Sequence, residues 1–182
     1  MTDEFEFQPT LEGARVTVRP LASSDWAPLF AAAADPEIWV QHPASDRHTE
    51  TVFRQYFNEA IECGSAFAFV DRQNGRIIGP SRFNGFDPAA REVEIGWTFL
   101  ARDYWGGSYN AEIKRLMLEH AFRFVDTVVF WIGETNTRSR RATEKIGAVL
   151  RSGIHYKAPD SDTPYVVYEV RKDRWLASQR QS

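Results

Sequence analysis

Glu92-Val93-Glu94-Ile95-Gly96-Trp97-Thr98-Phe99-Leu100, followed shortly by Trp105-Gly106-Gly107-Ser108-Tyr109-Asn110-Ala111-Glu112, is the stretch whose reading decides the fold. The first part alternates strictly from Glu92 to Phe99. Val93, Ile95, Trp97 and Phe99 fall on one side and Glu92, Glu94, Gly96 and Thr98 on the other, the period-two pattern of a central strand. Beyond the glycines, Ile113, Leu116, Met117, His120, Ala121 and Phe124 recur at helical spacing and predict an amphipathic helix ending near Asp126. Val128 to Ile132 is apolar and β-branched, as a buried strand should be. Strand, glycine turn, helix and strand make one βαβ unit, with the turn at the start of its helix. Glycines let backbone approach a ligand, and the unpaired amides of a helix N-terminus favour phosphate oxygens. A pyrophosphate suits such a place, and the alternative is an ordinary βα turn in which glycine only satisfies geometry. A dinucleotide-binding fingerprint fits poorly, because its third spaced glycine is missing.

Working outward, Ala14 to Pro20 reads as a short strand, and Ser23-Ser24-Asp25 offers a cap to a helix over Trp26 to Ala34. Thr49 to Cys63 carries one apolar stripe (Val52, Phe53, Tyr56, Phe57, Ala60, Ile61) and predicts a helix stopped by Gly64. Phe67 to Asp71 and Arg76 to Gly79 are β-prone runs joined through Asn74-Gly75, a dipeptide suited to tight hairpins. Thr137 to Ile146 predicts a short helix closed by Gly147, with β-prone runs following at Val149 to Tyr156 and Tyr165 to Val170. With no repeat and no dividing linker, residues 1–182 are expected to form a single α/β domain with a mixed sheet.

Composition narrows the function. The 182 residues are 43% hydrophobic and 14% aromatic, enough apolar surface for a folded core. A net charge of -3 with no Lys/Arg run gives no global field for nucleic acid. No apolar run approaches membrane-spanning length, and the acidic opening Met1-Thr2-Asp3-Glu4 differs from a basic signal peptide, so a cytoplasmic protein without membrane partners is expected. Cys63 is the only cysteine, and neither it nor the four histidines offers a pair with metal-ligand spacing; no metal is expected. No Gly-x-Ser-x-Gly elbow accompanies those histidines, which speaks against a Ser-His-Asp hydrolase.

Glu94 to Leu100, then Tyr104-Trp105-Gly106 with Tyr109 and Glu112, resembles the strand, pyrophosphate loop and helix of the GNAT (Gcn5-related N-acetyltransferase) superfamily, especially the branch of ribosomal-protein-alanine acetyltransferases. Asn136, Ser139, Glu144, Lys145 and Gly147 match the second block of that branch, Asn-x-x-Ser and then Glu-Lys-x-Gly, while Leu11 to Pro20 and Asp25 are similar to its opening. The resemblance implies a mostly antiparallel mixed sheet flanked by helices, acetyl-CoA as co-substrate, and acetyl transfer to a primary amine of a small molecule or a protein N-terminus. The family's phosphate signature, Gln/Arg-x-x-Gly-x-Gly/Ala, is departed from at Ser108 and Asn110, which stand where small residues are usual. Their amides still serve phosphate if the backbone avoids positive φ.

By the same resemblance, backbone groups at Phe99 and Leu100 would pair with the pantetheine arm, Trp105, Gly106, Gly107, Ser108, Tyr109 and Asn110 would surround the pyrophosphate, and Asn136 would reach the pantetheine or cysteamine end. Arg138, Arg140, Arg141 and Lys145 would lie near the nucleotide phosphates, or simply form a solvated helix face. Transfer to an amine needs a base for the ammonium and help for the leaving thiolate. Glu94, on the polar face of the central strand, is the candidate base; a structural carboxylate is the alternative. Many family members use a helix tyrosine as acid, but Thr143 stands there, and Ser139 takes its place as candidate acid or oxyanion donor, helix capping being the bland alternative. Trp39, His42, Phe83, Phe86 and Trp97 are candidates for an aromatic acceptor pocket, or else core. Amino acid, polyamine, aminoglycoside-like amine and protein N-terminus all remain open as acceptors. A non-catalytic acyl-CoA-binding module, or an interaction domain that has lost the cofactor, is the alternative function. A homodimer is compatible with the family.

Overall fold

One sheet runs through the whole molecule, built from strands in the order β1 (Leu11–Glu12), β2 (Val16–Pro20), β3 (Ala66–Asp71), β4 (Ile77–Asp87), β5 (Glu92–Gly96), β6 (Thr127–Gly133), β8 (Tyr165–Arg171) and β7 (Val149–Leu150). The structure is a computed structural model and describes residues 4–157 and 162–180. Every neighbouring pair is antiparallel except β5 and β6, which the crossover helix α3 (Tyr109–Ala121) joins in parallel. The remaining helices are α1 (Trp26–Ala33), α2 (Glu50–Glu62), α4 (Thr137–Glu144) and α5 (Lys172–Gln179). Among the described residues no helix is long and apolar enough to cross a membrane.

Strand alternation sorts the core into two layers. On β3, Phe67 and Phe69 point into a cluster with Ile113, Met117 and Leu118 of α3 and Trp175 of α5, while Ala66 and Ala68 face Leu29 of α1 and Phe53 and Phe57 of α2. Small residues on one face let α1 and α2 approach closely; large ones on the other fill the space under α3. Asn74-Gly75 makes the turn between β3 and β4, with Gly75 left-handed at φ 74. β4 runs well beyond the short strand read from sequence, through Pro80. The proline is tolerated because β5 joins β4 only from Arg82 onward, so at Pro80 the ladder exists on the β3 side alone.

The sheet opens at its centre. β5 and β6 pair only at Glu92–Thr127, Val93–Val128 and Glu94–Val129, yet β4 holds β5 as far as Gly96 and β8 holds β6 as far as Gly133. Past Glu94 the two halves therefore diverge. Trp97 completes the opening. It takes a left-handed φ of 54, rare for a bulky residue and costing roughly 1–3 kcal/mol, so the strand expected over Glu92 to Phe99 ends at Gly96. The alternation breaks with it: Val93 and Ile95 join the α3-side core, whereas Phe99 packs on the α2 side with Trp39 and Phe53.

Three further expectations change. Asp25 does not cap α1; its carboxylate accepts both guanidinium arms of Arg19 and the amide of Ala22, tying β2 to the loop before the helix. The β-prone run over Val149 to Tyr156 forms only β7 and one bridge between His155 and Tyr165, because Gly153 turns the chain at φ 96. Phe83 and Phe86 pack with Phe5 in the α3-side core, away from Trp97.

Candidate active site

The borders of the gap between β5 and β6 can be built residue by residue. At its mouth stands the glycine loop. Gly106 is left-handed at φ 70, which glycine alone adopts cheaply, and Ser108 follows in helical geometry at φ -80 and ψ -9 as the first residue of the turn into α3. Asn110 lies within the helix itself. Neither Ser108 nor Asn110 needs a positive φ, so their bulk costs the backbone nothing. Gly107 needs no positive φ either, and a Cβ added there would meet nothing within 4 Å; nothing in the chain itself demands glycine at that position.

Side chains of the loop act as posts. The Trp105 indole donates to the Leu100 carbonyl at 2.9 Å, and the Tyr104 and Tyr109 hydroxyls both donate to the buried Asp71 carboxylate, at 2.7 and 3.1 Å. Burial pushes the Asp71 carboxyl up, but the hydrogen bonds from Gln73, Tyr104 and Tyr109 outweigh it and the group ends below its ordinary value. Glu112 is buried and accepts from the amides of Ala14 and Arg15, fastening the first turn of α3 to the β1–β2 loop, where a Cβ on Gly13 would collide with it. No side chain caps the start of α3. The start of α4 is different: Asn136 accepts the Ser139 amide at 3.1 Å, and the Gln41 side-chain oxygen accepts from the Thr137 hydroxyl and the Arg138 amide. Asn136 is thus the cap of α4 and Ser139 is not, and no partner within the described residues is found for the Ser139 hydroxyl.

Along the β5 side of the gap, Phe99 and Leu100 are buried, and the amides of Thr98, Phe99 and Leu100 make no backbone hydrogen bond among the described residues. The Leu100 carbonyl is already taken by Trp105, and the Phe99 carbonyl lies against Gly79, where a Cβ would strike it. On the α3 side of the gap lies Lys114, whose Nζ donates to the Thr98 hydroxyl at 3.3 Å and sits 4.9 Å from the Phe130 ring centre. Among the described residues it has no carboxylate partner, and burial pulls its pKa down to about 7.

On the α2 side, Glu94 is 6% exposed and its carboxylate is held by the Asn84 amide and the Lys157 ammonium, each at 3.1 Å. Trp97, Trp131 and Tyr165 ring the Lys157 Nζ at 4.1, 6.0 and 5.4 Å, and the Tyr56 hydroxyl donates to the Trp97 carbonyl at 2.8 Å. This aromatic wall retains Trp97 from the sequence-based set; Trp39 lies beneath it in the α2-side core, with His42 against its ring. Of the basic residues of α4, Arg138 stacks on Trp105 at 4.1 Å and donates to the Glu37 and Ile38 carbonyls, while Arg140 donates to the Tyr168 hydroxyl and the Glu134 carbonyl. Two of the four are therefore engaged within the protein. Among the described residues no group of three or more His, Cys, Asp or Glu side chains gathers to hold a metal.

The family model described as "Acetyltransferase (GNAT) domain" matches residues 15–149, running from β2 through α4 to the first residue of β7. The chain belongs to the GNAT acetyltransferase family. Solved structures place the GNAT fold over nearly all of it. A GCN5-related N-acetyltransferase from Brucella melitensis superposes at a TM-score of 0.82 with 21% identity, covering 97% of this chain and 85% of that one. RimJ of Mycobacterium smegmatis in complex with CoA-disulfide aligns at 0.69 and 17% identity over 96% of both chains. Spermidine N-acetyltransferase from Vibrio cholerae, in complex with CoA and spermine, aligns at 0.65 and 16% identity over 90% of this chain and 99% of that one. At such identities these likenesses speak for the fold alone. Within this GNAT domain, the sequence missed Arg47, Arg82, Lys114 and Lys157. Lys114 left a signal, since it falls on the buried stripe with Met117, Leu118 and Ala121, where a lysine is out of place. The other three meet the site only through the fold.

Proposed function

We propose that this GNAT protein transfers an acetyl group from acetyl-CoA to a primary amine by direct attack of the amine on the thioester. The observation that carries this is the opening of the sheet after Glu94–Val129, with the uncapped start of α3 at its mouth and Glu94 on its rim. A diphosphate fits the loop: amides at the start of α3 are free of side-chain caps, and Gly107 leaves room for close approach that no packing requires. The amides of Thr98, Phe99 and Leu100 suit the carbonyls of an extended pantetheine chain, in the manner of strand addition. The Leu100 and Phe99 carbonyls do not serve this purpose, being turned to Trp105 and Gly79.

In this reading Glu94 takes the proton of the ammonium, directly or through a water, with Asn84 and Lys157 fixing its orientation. The attacked carbonyl gathers negative charge, and the departing thiolate needs a proton. Ser139, with its hydroxyl uncommitted, is the residue assigned to either need, since Thr143 closes the tyrosine route. Asn136 spends its oxygen on the α4 cap, so only its amide nitrogen is left for the donor.

Free coenzyme A released from acetyl-CoA, measured against a panel of primary amines, tests the reaction. Amine-dependent release, together with acetyl-CoA binding by calorimetry, is expected; binding without turnover across the panel would leave an acyl-CoA-binding module, and no binding at all would leave an interaction domain.

A further inference from the structure

Three cations crowd the α2 side of the gap, and one carboxylate is in hydrogen-bonding reach of them among the described residues. Lys157 is matched by Glu94 at 3.1 Å. Arg82 neighbours the Cys63 thiol and Arg47 feels the more distant Glu59, but among the described residues neither forms an ion pair with a carboxylate. Arg82 is 8% exposed, lies with its Cζ 3.6 Å above the Trp97 ring, and buries its Nε without a hydrogen-bond acceptor. Arg47, half-buried on the loop before α2, sits 4.9 Å over the Tyr56 ring and 5.7 Å from Trp39. Its side-chain nitrogen lies 3.4 Å from the His42 Nε2. Burial, with the Arg47 charge adding to it, lowers the His42 pKa to about 3, so the ring is neutral. Because His42 Nδ1 accepts the Ala44 amide at 2.9 Å, the single ring proton belongs on Nε2, which cannot then accept from Arg47.

Two guanidinium groups partly withdrawn from water, of like charge and without a carboxylate in contact among the described residues, are an unfavourable arrangement in a folded protein unless something supplies the counter-charge. Burial is also the main cause that holds Arg47 below its ordinary pKa, with the Arg82 charge among the further ones. Guanidinium is the group best suited to a carboxylate, which it takes in a two-pronged contact. The register fixes where that carboxylate would lie. Arg82 is opposite Gly96 and Asn84 is opposite Glu94, so Arg82 projects from the same face of the sheet as Asn84 and Glu94, about 7 Å along β4.

We propose that this protein acetylates amines that carry a carboxylate a few bonds from the nitrogen, the amine meeting Glu94 and the carboxylate meeting Arg82 and Arg47. The inference rests on the acyl-transfer reading above and adds the acceptor class to it. A polyamine brings further positive charge to a wall that already has an excess, and is disfavoured.

The test compares kcat/KM for free L-amino acids, for their carboxamides, for C-terminally amidated peptides with an acidic second residue, and for spermidine. Free amino acids are expected to exceed their carboxamides at least about tenfold, the scale of a lost charge-assisted hydrogen bond. Arg82→Gln and Arg47→Gln should each collapse that ratio, with Arg82→Lys restoring part of it. Arg47, on a loop, keeps the test open if the buried Arg82 variant fails to fold. Should the acidic peptides surpass the free amino acids, the carboxylate is that of a protein side chain and the small-molecule acceptor is overturned. Acetylation of carboxamides or spermidine as fast as amino acids overturns the carboxylate site while leaving acetyl transfer standing. If no amine is acetylated, the acyl-transfer reading fails, and the anion site is then read by calorimetry of the CoA-saturated protein with N-acetyl-L-amino acids against their methylamides: a preference for the acids that Arg47→Gln abolishes supports it, and equal binding overturns it.

Discussion

Lys114→Met isolates what it costs to bury an amine beside the open sheet. Burial lowers the folded-state pKa of this lysine from 10.5 to about 7, and the unfolded chain titrates at the ordinary value. At pH 7 the unfolded ensemble binds nearly a full proton at this site and the folded protein about half of one. Folding therefore carries a penalty of about 4 kcal/mol at pH 7, falling to about 2 kcal/mol at pH 9 and disappearing above pH 10.5, because one pKa unit corresponds to roughly 1.4 kcal/mol. The sign follows from the depressed pKa: the wild type gains stability as pH rises through this window and loses it as pH falls. Methionine has similar length and no charge, so the variant lacks the penalty at every pH. It also loses the 3.3 Å hydrogen bond to Thr98 and the contact with Phe130; what these give the neutral amine is the same at both pH values, and what they give the ammonium is already contained in its lowered pKa. Urea unfolding of both proteins at pH 7 and pH 9 is the assay. The advantage of the variant over the wild type should shrink by about 2 kcal/mol between the two. A pH-independent difference, or a wild type that loses ground as pH rises, would refute the burial argument.

Glu94→Gln should lower kcat/KM by about 10²–10⁴-fold while acetyl-CoA binding measured by calorimetry is kept; an unaltered kcat/KM would remove Glu94 as the base. Glu112→Gln places an amide where two backbone N–H groups need acceptors, and should cost about 1–3 kcal/mol in chemical unfolding; a neutral effect would show that the tether to Ala14 and Arg15 contributes little. Gly79→Ala drives a methyl group into the Phe99 carbonyl and should cost about 3 kcal/mol or more in thermal unfolding, and it should loosen the Ala101 to Ile78 hydrogen bond visible by amide exchange.

Much of the fold was legible because local signals and tertiary placement agreed. The stripe from Val52 to Ile61 became α2, Asn74-Gly75 became the hairpin turn, and Gly147 is left-handed at φ 85 just past α4. The run from Glu92 to Phe99 shows where such signals stop. Its alternation is perfect as a pattern, yet Tyr56, 41 positions away, holds the Trp97 carbonyl, and Arg82 and Lys157 stack on its indole, so the backbone turns where the pattern continues. The candidate site divides in the same way. The glycine loop and Glu94 were readable from neighbours in sequence. Lys157 meets Glu94 across 63 residues, and Arg47 and Arg82 come to one wall from a loop and a strand, so only folding could reveal that two positive charges there form no ion pair among the described residues. Asn136 and Trp105 were read as ligand-facing, and the structure shows them as posts of the scaffold, a role that residue type alone does not disclose.

The three-rung junction between β5 and β6 means that the width of the slot is settled during folding, by α3 bridging beneath and by Trp97 bending away above. A guest molecule entering there does not have to unzip a ladder, so its affinity is free of that toll and its arrival rate need not wait on a rearrangement. Conversely, a substitution that lets one more rung close would narrow the slot from a distance, weakening occupancy without altering any atom the guest touches.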